Sequence, residues 1–317
     1  MEIINETFAN IEFLKPQTYE NLTVIGIKTD NTNNKDILSL QKALELDLVQ
    51  INEVSQEGSV NNLKVENESN IPLIILDGEE LLGAKQNRIL NTTVIIPPKT
   101  ELTVPVSCTE QGRWRYNSKK FEKSENIASG RLRLRKNKSV YNSLKQRNTF
   151  ESNQREVWNE VHALGALFGS SSQTEALSDT YQYMKQDTDE YLKNIQYNKG
   201  QTGSIIFLNG KLINLEMVYN TDIYKNCHEK IIKSNVLDSL TLKEENQKED
   251  IGLIRDADDF LQLISNDTFE KFTPVGIGED YRINSDNILG SMLSYEDKIA
   301  HALFFNKNQD LICENIS

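Results

Sequence analysis

The sequence predicts an α+β protein: an antiparallel β-sandwich or partly open barrel, a helical middle segment, and a C-terminal hairpin that packs back onto the β-rich part. Three observations support this fold class. Short apolar or alternating segments separated by turn residues fill the first third of the chain, without the helices that parallel crossovers require. Helical periodicity follows in the middle of the chain. Two apolar runs then flank Asn209-Gly210, a dipeptide typical of hairpins.

The β-rich part is expected over about residues 1–116. One helix is predicted within it, at Asp36–Leu46, because apolar residues recur there at helical spacing and Asp36 can cap the first turn. Glycines and prolines punctuate the rest of this part, as expected of tight turns. The predicted strands are Leu22–Thr29, Leu48–Val54, Leu63–Glu68, Pro72–Leu76, Arg88–Ile96 and Leu102–Cys108.

Residues 117–147 are predicted to form a long basic loop, because they show no clear period and few apolar residues. Between Arg113 and Arg147, twelve bases are opposed only by Glu122 and Glu125, so this window carries +10. The whole chain carries −12, and the remainder therefore carries −22. Such a balance predicts repulsion of nucleic acid in general and local attraction of an anion.

The remaining chain divides into a helical part, about residues 151–198, and an α+β part, about residues 201–317. We expect the whole chain, residues 1–317, to form a single compact domain. The predicted elements are helices at Val157–Phe168 and Thr174–Ile195, the hairpin, a helix capped by Thr221 or Asp222, a charged linker at Lys243–Asp250, a helix near Asp256–Ser265, and strands within Phe272–Phe305.

The composition of the chain limits which disulfides and metal sites are expected. The three cysteines are an odd count in separate regions, which predicts free thiols. The three histidines form no closely spaced pair, so a zinc site is not expected. Carboxylates are abundant, so Mg²⁺ is kept as a candidate in a protein whose cofactor is otherwise unknown. The acidic N-terminus and the lack of a long apolar run predict a cytoplasmic protein, and the oligomeric state stays open.

Charged and polar residues crowd the predicted turns of one block, from residue 73 to residue 116. Gly83 lets the backbone bend tightly, and Lys85, Gln86 and Arg88 follow it. This combination can cradle a phosphate, although an exposed basic turn is the alternative. Glu79 or Glu80, in the preceding turn, is a candidate ligand for Mg²⁺ or a ribose hydroxyl. A soluble hairpin turn is the alternative there.

A second candidate loop follows the strand that ends at Cys108. Arg113 can pair with a phosphate and Glu110 with a hydroxyl, while Trp114 can stack on a purine or nicotinamide ring. The alternative for Trp114 is an ordinary core anchor. Near the C-terminus, Glu279 and Arg282 in the segment GIGEDYRI form either a second wall of this site or a plain loop.

Together these motifs resemble the ADP-ribosylglycohydrolase-and-rhodanese-phosphatase-associated protein domain family. The resemblance rests on LDGEELLGAKQNRILNTTVIIPP, VSCTEQGRW, VWNEV, SSQTEALSDTY and GIGEDYRI, and spans the chain from about residue 10 onward. Ala84 stands where that family often has a second glycine, which makes the turn less permissive. Because the family is named for its neighbours, the resemblance implies a link to ADP-ribose or nicotinamide-nucleotide metabolism by association alone.

The leading hypothesis is a binding module for a small nucleotide-like anion, with ADP-ribose or an NAD-derived ligand favoured. The first alternative is a hydrolase of a phosphoester or N-glycosidic bond, with Glu79 or Glu110 as general base and Mg²⁺ as the metal, so enzymatic activity is left open. The second is an RNA-contacting or interaction protein that uses Arg131, Arg133 and Arg135. The acidic net charge argues against nucleic acid, and no membrane partner is expected.

Overall fold

A computed structural model describes residues 2–29, 36–118, 120–170, 172–218, 220–242 and 250–308, the side chains of residues 250 and 251 excepted. Within these residues the helices are α1 Glu2–Ala9, α2 Leu40–Glu45, α3 Gly130–Arg147, α4 Gln154–Phe168, α5 Leu177–Tyr183, α6 Lys185–Asn194, α7 Thr221–Leu240 and α8 Asp250–Ser265.

Eighteen strands lie in the same described ranges, so the fold is α+β, as predicted. They are β1 Ile11–Phe13, β2 Gln17–Tyr19, β3 Leu22–Thr29, β4 Leu38–Ser39, β5 Val49–Glu53, β6 Asn62–Asn67, β7 Leu73–Ile75, β8 Glu79–Gly83, β9 Arg88–Leu90, β10 Val94–Ile96, β11 Thr100–Cys108, β12 Phe121–Ile127, β13 Gly203–Leu208, β14 Lys211–Val218, β15 Glu270–Phe272, β16 Glu279–Asn284, β17 Ile288–Tyr295 and β18 Lys298–Asn306.

The chain divides into two compact units. The central unit comprises Lys35–Gln186 and Pro274–Ile277, and the terminal unit comprises Met1–Asn34, Asp187–Thr273 and Gly278–Ser317. Sequence continuity therefore does not define either unit, because each is assembled from separate stretches of chain. The expectation of a single domain over the whole chain stays a prediction.

The terminal unit is built on one antiparallel sheet with the order β1-β3-β13-β14-β18-β17-β16-β15, and β2 pairs with β3. The predicted hairpin is confirmed: Asn209 and Gly210 both have positive φ, +48° and +70°, as a type I′ turn requires. The hairpin pairs with the N-terminal strand β3, as expected. Both of its strands are buried almost throughout, and β14 carries the polar residues Asn214 and Glu216 among its apolar ones.

Helices cover both faces of this sheet. The apolar core on one face joins β13 and β14 to α1 and α8, with Phe207 and Phe260 among its buried residues. Helix α7 packs against the same two strands, and on that side Asn214 donates a hydrogen bond of 2.7 Å to Asn235. The cap of α7 is Asn220, which differs from the two predicted caps. The predicted charged linker lies outside the described residues, except for its last residue, which begins α8.

The central unit contains a sheet of order β12-β8-β9-β11-β6-β5 and a smaller one of order β10-β7-β4. All its strand pairs are antiparallel except β4–β7. The predicted strand Arg88–Ile96 is in fact two strands, because Asn91–Thr93 carries the chain from one sheet to the other. The predicted helix at Asp36 begins later, after the cap Ser39, because residues 38 and 39 pair with β7.

The prediction of a basic loop over residues 117–147 is wrong. This region forms β12 and the 18-residue helix α3, which Ser129 caps at its start and Asn148 ends in the left-handed conformation. The apolar period was hidden because Arg131, Arg133 and Lys136 occupy buried positions of the helix. The predicted helix at Thr174–Ile195 is likewise divided into α5 and α6, with Met184 between them.

Candidate functional site

Three bases of the basic window are paired with buried carboxylates inside the central unit. Lys136 Nζ lies 2.5 Å from Asp77 Oδ2, and Arg133 Nε lies 3.4 Å from Asp77 Oδ1. Arg131 pairs with the buried carboxylate of Glu160. Buried charges are tolerated when they are paired, so these bases anchor α3 to the rest of the unit. An exposed basic loop, the premise of the RNA-contacting alternative, is therefore not present at these positions.

Glu79, predicted as a catalytic residue, lies buried beside the turn that follows β7. Its Oε2 accepts a hydrogen bond of 3.1 Å from the Leu76 N–H. Gly78 next to it has a φ of +76°, and a Cβ there would lie 3.0 Å from the Arg133 side chain. The carboxylate thus closes its own tight turn. Its role as a general base or Mg²⁺ ligand stays a prediction.

The glycine turn predicted to cradle a phosphate has the expected bend. Gly83 has a φ of +111°, and Ala84 also has a positive φ of +42°. That conformation costs about 1–2 kcal/mol for a residue with a side chain. Asn87 Oδ1 accepts from the Gly83 N–H at 3.1 Å, and Ser118 Oγ accepts from the Ala84 N–H at 2.9 Å. These side chains hold the turn in place.

Glu110 and Arg113 bind each other. Arg113 Nε and Nη2 donate to the two Glu110 oxygens at 2.8 and 2.6 Å, and Nη1 donates to the carbonyl oxygens of Ala84 and Arg115 at 2.7 and 2.9 Å. Burial alone would raise the pKa of Glu110, but hydrogen bonds from Arg113 and from the Asn87 N–H outweigh it and lower that pKa. This carboxylate is a weak base, and this guanidinium has few donors left for a phosphate.

The Glu110 loop is joined to the SSQTEA segment by backbone pairing. The Gly112 N–H donates to Thr174 O and the Leu177 N–H donates to Thr109 O, both at 2.9 Å. A Cβ on Gly112 would lie 2.8 Å from Thr174 Cα, closer than real Cβ contacts come. The Glu110 loop and the segment around Thr174 therefore pair closely, although they lie about 65 positions apart in sequence. Only glycine fits at position 112, where the two backbones meet.

Arg88 is fully buried, yet its guanidinium is poorly satisfied. Nη1 donates to Gln86 Oε1 at 3.3 Å and to Asn87 O at 3.4 Å, and Nη2 donates to Ser59 O at 3.4 Å; all three are longer than typical hydrogen bonds. Nε has no acceptor among the described residues. Glu53 Oε1 lies 3.9 Å from Nη2, and burial lowers the pKa of Arg88. Arg88 is therefore a buried cation with an unused donor, a feature that is uncommon in folded proteins.

Glu53 is a candidate residue that the sequence reasoning missed. It ends β5 with a side chain that is 3% exposed, and its Oε2 has no hydrogen-bond partner in the described part of the chain. A signal was present: Val49, Ile51 and Glu53 alternate on the buried face of one strand. An acid on an apolar strand face is uncommon unless it has a partner. Glu53 can therefore accept a hydrogen bond from a ligand hydroxyl.

Lys85 lies against two aromatic rings that remain open to solvent. Its Nζ is 5.3 Å from the Trp114 ring centre and 5.2 Å from that of Tyr116. The rings are 47% and 51% exposed, so Trp114 is not a core anchor. Arg88 Cζ also lies 5.7 Å from the Trp114 ring centre. Exposed rings beside two cations suit a nucleotide, because its base can stack on the rings and its phosphates can lie near the positive charges.

Two side chains in the surroundings of Arg88, Gln86 and Cys108, carry no charge at neutral pH. Cys108 Sγ lies 3.0 Å from Gln86 Oε1, and burial raises the pKa of the Cys108 thiol to about 11. The thiol is therefore not a nucleophile at neutral pH. Cys108 and Cys227 are free, as expected, whereas Cys313 lies outside the described residues.

The C-terminal candidates belong to the terminal unit. Glu279 is exposed and bonded to Lys271, whose ammonium lowers the pKa of that carboxyl, and it accepts from the Tyr281 hydroxyl at 2.6 Å. Arg282 is buried and donates to both oxygens of Asp280, at 2.6 and 2.7 Å. The other predicted residues, apart from Glu79, share one region of the central unit: Lys85, Gln86, Arg88, Glu110, Arg113 and Trp114.

A cavity of about 340 Å³ also lies in the central unit, between α4 and the segment that leads into α5. Its rim carries His162, whose Nε2 is 2.8 Å from Glu175 Oε2. Within the described ranges, no group of three or more histidine, cysteine, aspartate or glutamate side chains is placed to hold a metal ion. None of the described helices is long and apolar enough to cross a membrane.

Comparison with known proteins identifies the family. The chain matches no curated protein and no solved structure. Residues 10–305 match the family model described as the ARG and Rhodanese-Phosphatase-superfamily-associated Protein domain. That match includes both sets of motif loops described above, in the central and in the terminal unit. The chain therefore belongs to the ARG and Rhodanese-Phosphatase-superfamily-associated Protein domain family.

Proposed function

We propose that the central unit binds a nucleotide-like anion, with ADP-ribose or an NAD-derived molecule as the favoured class. The observation that carries this proposal is Arg88, a fully buried guanidinium whose hydrogen bonds are long and whose Nε has no acceptor in the described structure. Burial of an unsatisfied cation is costly, and a ligand that supplies anionic oxygens removes that cost.

Three kinds of group lie together in a way that suits the three parts of a nucleotide. Lys85 and Arg88 supply positive charge for phosphate. Glu53 Oε2 supplies an acceptor for a ribose hydroxyl. The exposed rings of Trp114 and Tyr116 supply a surface on which a base stacks. Two cations against one carboxylate leave this region with a local charge of +1, because Glu110 and Arg113 neutralise each other.

Binding is proposed ahead of hydrolysis because the two predicted catalytic carboxylates already have partners. Glu79 accepts from the backbone of its own turn, and Glu110 holds Arg113. The family name points to an association with ADP-ribosylglycohydrolase, which supports the ligand class and assigns no reaction to this chain. No residue is assigned to Mg²⁺, and the binding experiment is carried out with and without it.

Calorimetric titration tests the proposal with ADP-ribose, NAD⁺, ADP, AMP, adenosine and ribose 5-phosphate, with and without Mg²⁺. We expect ADP-ribose or NAD⁺ to bind, and adenosine to bind more weakly because it lacks phosphate. Lys85→Met should weaken binding by about 10- to 100-fold, the loss of one charge-assisted hydrogen bond. Trp114→Ala should weaken it by about 5- to 150-fold, the loss of one stacking contact.

Two matched variants control for general damage. Lys99→Met removes a lysine that, like Lys85, donates to a backbone carbonyl oxygen, that of Glu68. Tyr183→Ala removes another aromatic ring of the central unit that is 61% exposed. Both should bind the ligand as the unaltered protein does. Absence of saturable binding by every compound, or equal weakening by the controls, would overturn the proposal.

The same mixtures distinguish the hydrolase alternative. Chromatography of the incubated ligands should show no product under the binding proposal. Product that forms with the unaltered protein and disappears in Glu79→Gln or Glu110→Gln, while binding is retained, would assign a reaction and replace the proposal.

A further inference from the structure

The connection between β5 and β6 covers the proposed site. We call residues 54–61 the cover loop; β5 ends at Glu53 and β6 begins at Asn62. None of its residues is buried, and its two valines, Val54 and Val60, are each 37% exposed. The loop therefore has no apolar anchor of its own. Segments with few buried apolar contacts open at low free-energy cost.

Polar contacts with the site hold the cover loop instead. Lys85 Nζ donates to Glu57 O at 2.6 Å, and Arg88 Nη2 donates to Ser59 O at 3.4 Å. The Tyr116 hydroxyl also donates to a loop carbonyl, that of Gln56, at 3.4 Å. These three donors come from residues proposed to receive the ligand, and their acceptors are backbone carbonyl oxygens. The loop thus occupies the donors that a phosphate would use. The C-terminal end of the loop is held separately by the Val106 N–H, which donates to Asn61 O at 2.9 Å.

We infer that the cover loop is a displaceable closure: an anionic ligand takes over the donors of Lys85, Arg88 and Tyr116, and the loop is released. This inference rests on the proposed function and adds how access to the site is controlled. Anionic oxygens form shorter and stronger hydrogen bonds with ammonium and guanidinium groups than neutral carbonyls do. The exchange therefore favours the ligand, and the loop keeps the buried cations partly satisfied until it arrives.

The loop contains a turn on which it can pivot. Gly58 has a φ of +79°, and its N–H donates to Ser55 O at 3.1 Å. A Cβ at this position would lie 3.1 Å from Lys85 Cδ and 3.3 Å from Glu53 Oε2. Glycine therefore lets the backbone approach both Lys85 and the orphan carboxylate oxygen closely. Release of the loop also opens a path from solvent to Glu53.

Hydrogen-exchange mass spectrometry of the peptide that spans residues 54–61 tests the inference. Without ligand, Lys85→Met should raise the exchange rate of this peptide by about ten-fold or more, because one charge-assisted contact that holds the loop is lost. Tyr116→Phe should raise it less, since its hydroxyl bond is long. Lys99→Met is the matched control and should leave the rate unchanged. Equal exchange in all four proteins would overturn the inference.

Saturating ADP-ribose provides the second arm. The inference predicts faster exchange in residues 54–61 of the unaltered protein and slower exchange around Arg88 and Trp114. If binding slows hydrogen exchange in the cover loop, the loop is a lid that closes on its ligand. That result would overturn the inference and leave the proposed function standing. Failure of ADP-ribose and NAD⁺ to bind at all would remove the proposed function and the inference with it.

Discussion

The ion pair between Glu110 and Arg113 should be one of the main determinants of the central unit's stability. Arg113→Met would leave the Glu110 carboxylate buried, with the Asn87 N–H as its remaining backbone donor. Removal of one partner of a buried pair costs about 3–5 kcal/mol. The substitution would also remove the guanidinium that donates hydrogen bonds to the carbonyl oxygens of Ala84 and Arg115. We therefore expect Arg113→Met to lie at the upper end of that range.

Glu110→Gln leaves Arg113 with its carbonyl acceptors and should cost less than Arg113→Met. The double variant leaves no unpaired buried charge, so its cost should be smaller than the sum of the two single costs by about 2 kcal/mol. Both tryptophans, Trp114 and Trp158, lie in the central unit, so urea unfolding followed by tryptophan fluorescence reports on this unit. Additive single effects, or a loss below about 1 kcal/mol for Arg113→Met, would refute the reasoning.

Three further outcomes follow from the structure. Gly112→Ala should destabilise the central unit by about 1–3 kcal/mol, because its Cβ meets the backbone of Thr174; an unchanged unfolding midpoint would contradict this. The raised pKa of Cys108 means that the unfolded chain loses its proton first between pH 9 and 11, so stability falls by about 2 kcal/mol as pH rises through that window, and Cys108→Ala should flatten this slope. Burial lowers the pKa of His228, so the unfolded chain gains a proton first below about pH 6.5; stability of the terminal unit should fall as the pH is lowered there, and His228→Gln should abolish that part of the acid dependence of amide exchange in α7.

Local sequence signals predicted those parts of the fold that depend on local chemistry. Asn209-Gly210 specified its hairpin because both positions need positive φ. Apolar alternation indicated most strands. Helix α3 was missed because its buried positions carry arginine and lysine, and these become acceptable only when Asp77 and Glu160 come near from other parts of the chain. Such pairing is a tertiary property that periodicity does not report.

In the candidate site, too, the sequence indicates local features but does not report contacts between distant parts of the chain. The sequence identified the loops with Lys85, Arg88 and Trp114, because glycine, cations and an aromatic residue lie close together there. The i,i+3 spacing of Glu110 and Arg113 offered a simple signal for an ion pair, and the structure contains that pair. Glu53 lies more than 30 positions from Arg88, and only the pairing of β5 with the rest of its sheet brings the two together.

The Nε–Hε group of Arg88 tests the central claim most directly, because it is a buried donor without an acceptor in the described structure. Its signal in a ¹H–¹⁵N spectrum of arginine-labelled protein can be assigned by its loss in Arg88→Lys. Addition of ADP-ribose should shift the Arg88 proton downfield as it bonds to a phosphate oxygen, while the Arg113 signal, already bonded to Glu110, stays in place. An unmoved Arg88 signal under saturating ligand would contradict the account.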